Sequence, residues 1–127
     1  MNVILSIKPK YANAIIDGSK LYEYRKVLPK NTDIQKVYIY ASKPIMAIIG
    51  EFTIGSIISD TPQKVWELTK KEGGITKKQF FDYFKGRDTA HAIKIDKVLK
   101  YFMPINPQMV IKRFTAPQNY RYLDYDL

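Results

Sequence analysis

Residues 45–58 read as one long β-rich run, Ile-Met-Ala-Ile-Ile-Gly-Glu-Phe-Thr-Ile-Gly-Ser-Ile-Ile, interrupted at Gly50 and Gly55. Glycine inside a strand marks a bulge or a sharp bend, because it packs no side chain and lets another backbone come close. Two such interruptions in one run bend the sheet they belong to. A bent sheet of short strands closes toward a barrel, and the rest of the chain has to supply its neighbours.

The neighbours can be read from pattern. Residues 2–7 are a continuous apolar strand. Pro9 opens a helix, since proline is tolerated at the first helical position, and Gly18 stops it. Tyr11, Ala12, Ile15 and Ile16 lie on one face of that helix. Residues 20–27 and 35–42 are aromatic-rich strands, the second apolar on both faces and therefore central. Thr61-Pro62 begins a helix over 62–71 with Val65, Trp66 and Leu68 inward. Thr76 begins another, with Gln79 completing a capping box and Phe80, Phe81 and Phe84 forming the apolar face. Residues 89–101 return to strand, with His91, Ile93 and Ile95 alternating, and the tail from Met103 carries three prolines. The order β-α-β-β-β-α-α-β plus a tail predicts one α+β domain over 1–127, a small mixed β-barrel with helices packed outside.

Composition limits the chemistry. The 127 residues contain no cysteine and one histidine, His91, so thiolate metal sites, disulfides and multi-histidine ligation are excluded. No metal and no cofactor are expected. No stretch approaches the ~18 apolar residues of a membrane span, and the short apolar N-terminal run has no charged segment before it. The expected setting is the cytoplasm. The net charge of +9 favours a polyanionic partner, and ten tyrosines among the lysines suit a surface that follows a phosphate backbone and stacks bases. Nucleic acid is the expected partner.

The polar residues concentrate between 6 and 26. Lys8 ends the first strand; Lys20, Glu23, Arg25 and Lys26 follow the helix stop. Cations gathered beside a short helix at a barrel mouth make an anion pocket. In a regular strand Lys20 and Glu23 would face opposite ways, so they share a pocket only if Lys20 still belongs to the turn. Glu23 and Arg25 share a face, as base reader and phosphate holder or as a structural ion pair.

The order Gly-Ser-Lys-x-x-Glu-x-Arg at 18–25 resembles the signature of the ASCH family, within the PUA-like superfamily. Val-Tyr-Ile-Tyr-Ala-Ser at 37–42, Ile-Ile-Gly-Glu-Phe at 48–52, Phe-Phe-Asp-Tyr-Phe-Lys-Gly at 80–86 and Ala-Pro-Gln-Asn-Tyr-Arg-Tyr-Leu at 116–123 are similar to a variant described as a transcriptional regulator with a PUA-like domain. The resemblance implies a PUA-like pseudo-barrel, no metal, and RNA rather than DNA as partner. Some ASCH proteins are hydrolases, one group deacetylating N4-acetylcytidine with a lysine, a threonine and a glutamate, another cleaving RNA. The family lysine falls on Lys20 and the arginine on Arg25. The threonine position is occupied by Glu23, a departure that removes the hydroxyl. The glutamate falls nearest Glu72.

The resulting reading is an RNA-binding module with a cleft at the first helix, lined by Lys8, Lys20, Glu23 and Arg25, with Lys26 a further binding candidate. The alternative is a small metal-independent hydrolase, acting on a modified nucleoside or on RNA, with Lys20, Glu23 and Glu72 as its catalytic groups. Tyr22, Tyr24, Tyr38 and Tyr40 are candidates either to stack bases or to pack the strands, with Tyr40 and Ser42 nearest a strand end. Arg87 and Arg121 are further phosphate candidates. His91 and Trp66 read as packing residues, and the lysine pairs at 70–71 and 77–78 as a solvated face.

Overall fold

The computed structural model describes residues 1–127. Six strands form one mixed sheet: β1 (Asn2–Ile7), β2 (Tyr22–Arg25), β3 (Val37–Ala41), β4 (Ala47–Asp60), β5 (Ala90–Ile105) and β6 (Tyr120–Leu123). Their spatial order is β2-β5-β4-β3-β1-β6. Only β1 and β3 run parallel; every other neighbouring pair is antiparallel. The sheet curls into a half-barrel whose two edge strands, β2 and β6, leave an open seam.

The bending comes from β4. Its pairing with β5 slips between Ile48 and Gly50, between Phe52 and Ile54, and between Ile54 and Ser56, so both interrupting glycines sit at irregularities. The long β4–β5 arm is the frame on which the other strands hang.

Side-chain alternation on β1 and β3 separates two cores. Val3, Leu5 and Ile7 join Val37, Ile39, Phe52, Ile93 and Ile95 on one face, where helix α1 (Pro9–Asp17) adds Ala12 and Ile15. On the other face Ile4, Tyr38, Tyr40 and Ile48 meet Ile111, Phe114 and Leu123 of the C-terminal segment. β1 and β3 are thus covered on both sides, as the continuous apolar runs predict. The tail supplies β6 and a short helix α4 (Pro107–Val110). A third core lies under helices α2 (Pro62–Thr69) and α3 (Lys77–Tyr83), where Val65, Trp66, Phe80 and Phe84 pack on Tyr22 and Tyr24. Leu68, expected inward, is exposed: on this short helix Val65, Trp66 and Thr69 take the buried side.

The helix boundaries follow their caps. Proline at the first position starts α1, and Gly18 ends it in the left-handed conformation with φ 85°. At α3 the Thr76 hydroxyl accepts from the Gln79 amide while the Gln79 side chain accepts from the Thr76 amide.

Candidate functional site

The largest cavity, about 800 Å³, opens where the end of β1, the start of α1, the edge strand β2 and the helix α3 converge. Lys8, Lys20, Glu23 and Arg25, expected together from the sequence, line it, and so do Lys26 and Arg87, singled out there as separate candidates. Ser6, Tyr11, Tyr24, Tyr83, Gln118 and Asn119 complete much of the wall.

Lys20 precedes β2, so it lies in the turn and shares the cavity with Glu23. The side chain is only 2% exposed. Its ammonium donates to the Gly73 carbonyl and sits 4.6 Å from the centroid of the Tyr24 ring and 5.2 Å from that of Tyr11. The aromatic faces and one carbonyl replace water only in part, and burial lowers the Lys20 pKa to about 8 despite the opposing pull of Glu23. The loop after α2 fits this arrangement closely. A Cβ at Gly74 would stand 2.8 Å from the Lys20 Cβ, and one at Gly73 would overlap the Tyr24 hydroxyl, so both positions require glycine.

Arg25 spans the seam. Its Nη1 donates to Glu23 Oε2 at 3.2 Å and to the Ser6 carbonyl at the end of β1, also at 3.2 Å. Its Nη2 donates to the Asn119 carbonyl, just before β6, at 2.6 Å. One guanidinium therefore links the two sheet edges that share no ladder. Burial pushes the Glu23 carboxyl upward, more strongly than Arg25 and Lys20 pull it down. Glu23 has one oxygen on Arg25, and no buried side-chain oxygen in the protein lacks a partner, so its second oxygen opens into the cavity. At the rim the Lys26 ammonium lies 4.6 Å from the centroid of Tyr83.

Four candidate residues lie elsewhere. Tyr40 is buried beneath Phe114, at 5.3 Å between centroids, because the tail covers that face of β3. Ser42 turns the chain after β3, its amide donating to the Ile7 carbonyl. Glu72 is exposed and contributes its backbone carbonyl to Leu21, while its side chain stays outside the cavity. Arg121 lies over Phe114, 5.9 Å from the ring centroid. Tyr22 and Tyr38 are core residues, and Tyr24 is a wall whose hydroxyl pairs with Thr69 Oγ1 at 2.7 Å. His91 packs beside Ser59, whose Oγ is 2.7 Å from Nδ1. Of the wall residues that sequence reasoning missed, Gln118 and Asn119 fall within the quoted block at 116–123, and Tyr83 within that at 80–86; those blocks were the available signal.

No group of three or more histidine, cysteine or acidic side chains is placed to hold a metal ion. No helix is long and apolar enough to cross a membrane.

The comparisons agree with this architecture. An ASCH domain-containing ribonuclease of Zymomonas mobilis is 27% identical over 126 residues, 94% of this chain and 82% of that protein. The crystal structure of ASCH from Zymomonas mobilis superposes with a TM-score of 0.89 at 26% identity, covering 96% of this chain and 87% of the other. The large ribosomal subunit protein uL22 of Ureaplasma parvum serovar 3 is 30% identical over 103 residues, 80% of this chain, which spans only 33% of that longer protein. The family model described as "Domain of unknown function (DUF365)" matches residues 1–116. The chain belongs to that family, and its half-barrel is an ASCH domain of PUA-like fold.

Proposed function

We propose that this ASCH domain binds single-stranded RNA and seats one nucleotide in the cavity beside α1. The observation that carries the reading is the wall itself: Lys8, Lys20, Arg25, Lys26 and Arg87 surround one buried carboxylate, Glu23. The exposed cations suit phosphate, and Tyr83 with Tyr11 offers ring faces to a base. The free oxygen of Glu23 accepts a hydrogen bond from an amino or imino group on the base edge. The Zymomonas relative's designation as a ribonuclease supports RNA over DNA.

A second reading adds cleavage, and the Lys20 amine favours it. With a pKa of about 8, a useful fraction is unprotonated near neutrality, the condition for a general base. Lys20 would take the proton of the ribose 2′-hydroxyl and the 2′-oxygen would attack phosphorus. The P–O5′ bond would break, leaving a 2′,3′-cyclic phosphate and a 5′-hydroxyl protonated from water. Deacetylation of N4-acetylcytidine is less well supported, since no threonine lines the cavity.

Fluorescence anisotropy with labelled single-stranded RNA, in chelator, tests both readings. The exposed-cation variant Lys8→Glu/Arg87→Glu is expected to weaken binding about tenfold or more at low salt, whereas Lys64→Glu/Lys77→Glu on the helical face leaves it within about twofold. Equal affinities for the two variants would overturn the binding reading. RNA that remains intact after long incubation, by gel and mass spectrometry, would eliminate cleavage.

A further inference from the structure

We propose that the bulged end of the β4–β5 arm is a second contact for single-stranded RNA, holding the strand as it leaves the cleft. The inference rests on the cleft being an RNA site. Between the pairs Gly50↔Lys100 and Ile48↔Ile105 the register advances five residues on β5 and two on β4. The surplus loops out of the ladder and carries Phe102 and Met103, which are 98% and 72% exposed. Tyr101 anchors the base of the bulge, its hydroxyl donating to Glu51 at 2.8 Å. A fully exposed phenylalanine on an anchored bulge has lost the burial that ordinarily justifies it, and bulges often serve to re-aim a side chain.

The charge of the surroundings selects the partner. From Lys97 to Leu123 the chain contains no Asp or Glu, while Lys100, Lys112 and Arg113 are exposed and form no ion pair. The helical face differs in carrying acids among its lysines: Lys70 and Lys78 are paired with Glu67 and Asp82, while Lys64, Lys71 and Lys77 form no ion pair. An exposed aromatic ring on a segment whose cations are unpaired and which carries no acid fits a polyanion that also offers flat apolar groups, which is single-stranded RNA. A second copy of the chain would bring the same positive charge against this face.

Backbone conformation adds independent support. The only non-glycine residues with positive φ are Met46 (55°), which enters β4 opposite the end of β5, and Arg113 (53°), in the segment after α4. Left-handed conformations outside glycine are unfavourable and cluster at functional positions. The segment that carries Lys112 and Arg113 then continues to Gln118 and Asn119, in the wall of the cleft. A strand following this segment passes from one contact to the other.

The test uses the full chain with single-stranded RNA of about four and about twenty nucleotides, spanning the footprints of small single-strand readers. Phe102→Ala, at a fully exposed position, is expected to weaken the longer RNA about tenfold and the shorter less than twofold. Lys100→Glu/Lys112→Glu is expected to reduce the salt dependence for the longer RNA by about 1.4 in log–log slope, the equivalent of two phosphates. If wild type binds both RNAs and neither variant changes the longer one, the second contact is overturned while the cleft reading stands. If wild type binds neither RNA, both readings fall. Anionic phosphatidylserine vesicles form the last arm: binding to them that Phe102→Ala abolishes, with RNA affinity unchanged, would assign the face to lipid and overturn the inference.

Discussion

The two faces of β2 make an instructive pair. Tyr22 and Tyr24 point one way and are 7% and 5% exposed; Glu23 and Arg25 point the other and are 5% and 8% exposed. By burial they are indistinguishable. Their partners differ entirely. The tyrosines lie under α2 and α3, with Phe80 edge-on to Tyr24 at 5.0 Å between centroids. The charged pair faces the cavity and closes the seam through backbone carbonyls. A buried residue is thus packed into a core or turned toward the cavity according to what it touches, and four consecutive positions supply both kinds. The faces also communicate, since the Tyr24 ring is the platform for the Lys20 ammonium.

Removing a keystone from the apolar face gives the largest effect. Phe80→Ala deletes a fully buried ring touching Tyr24, Trp66 and Phe84, and is expected to lower unfolding free energy by about 4 kcal/mol in urea titrations. On the polar face Arg25→Met strands Glu23 and releases two carbonyls, with an expected loss of about 3 kcal/mol. Adding Glu23→Gln should recover part of that stability and none of the RNA affinity. Recovery of both would show that the pair is only structural. Tyr24→Phe keeps the ring and loses the bond to Thr69, which still donates to the Val65 carbonyl; about 1 kcal/mol is expected, with RNA affinity unchanged.

The remaining effect is one of pH. Lys20 gives up its proton at about 8 in the folded protein, against an ordinary 10.5. Between those values the unfolded chain binds more protons, so stability should climb with pH from about 8 toward 10.5, and the burial penalty is fully present below that window. Comparison of urea midpoints across this range should show the rise in wild type and its absence in Lys20→Met. If the two curves run parallel, the lysine is not the group responsible.

Much of this arrangement was legible in the sequence, for local reasons. β1, α1 and the caps at Gly18, Thr61 and Thr76 depend on neighbours within a few residues. The half-barrel itself was announced by glycines at β4 irregularities. For Lys20 and Glu23 the sequence left two options, opposite faces of a strand over 20–27 or one pocket if Lys20 belonged to the turn; the structure starts β2 at Tyr22 and leaves Lys20 before it. Tyr40 and Arg121 could not be placed, since Phe114 reaches β3 from more than seventy residues away through a proline-rich tail with no period to read. Glu72 resembled a site residue by position in the chain. The fold uses its carbonyl and the two glycines after it instead, a backbone role that side-chain chemistry does not reveal.

The close approach of Gly73 and Gly74 to Tyr24 and Lys20 also leaves a mark for the genomicist. A lysine held this way and a glycine pair some fifty residues downstream are one inherited unit, since any side chain at either glycine would displace the wall of the pocket. The constraint does not depend on the ammonium: the Tyr24 ring imposes it at Gly73, and the Cβ of residue 20 together with the positive φ imposes it at Gly74. Among diverged copies, a side chain in place of either glycine therefore marks a cavity wall that has moved.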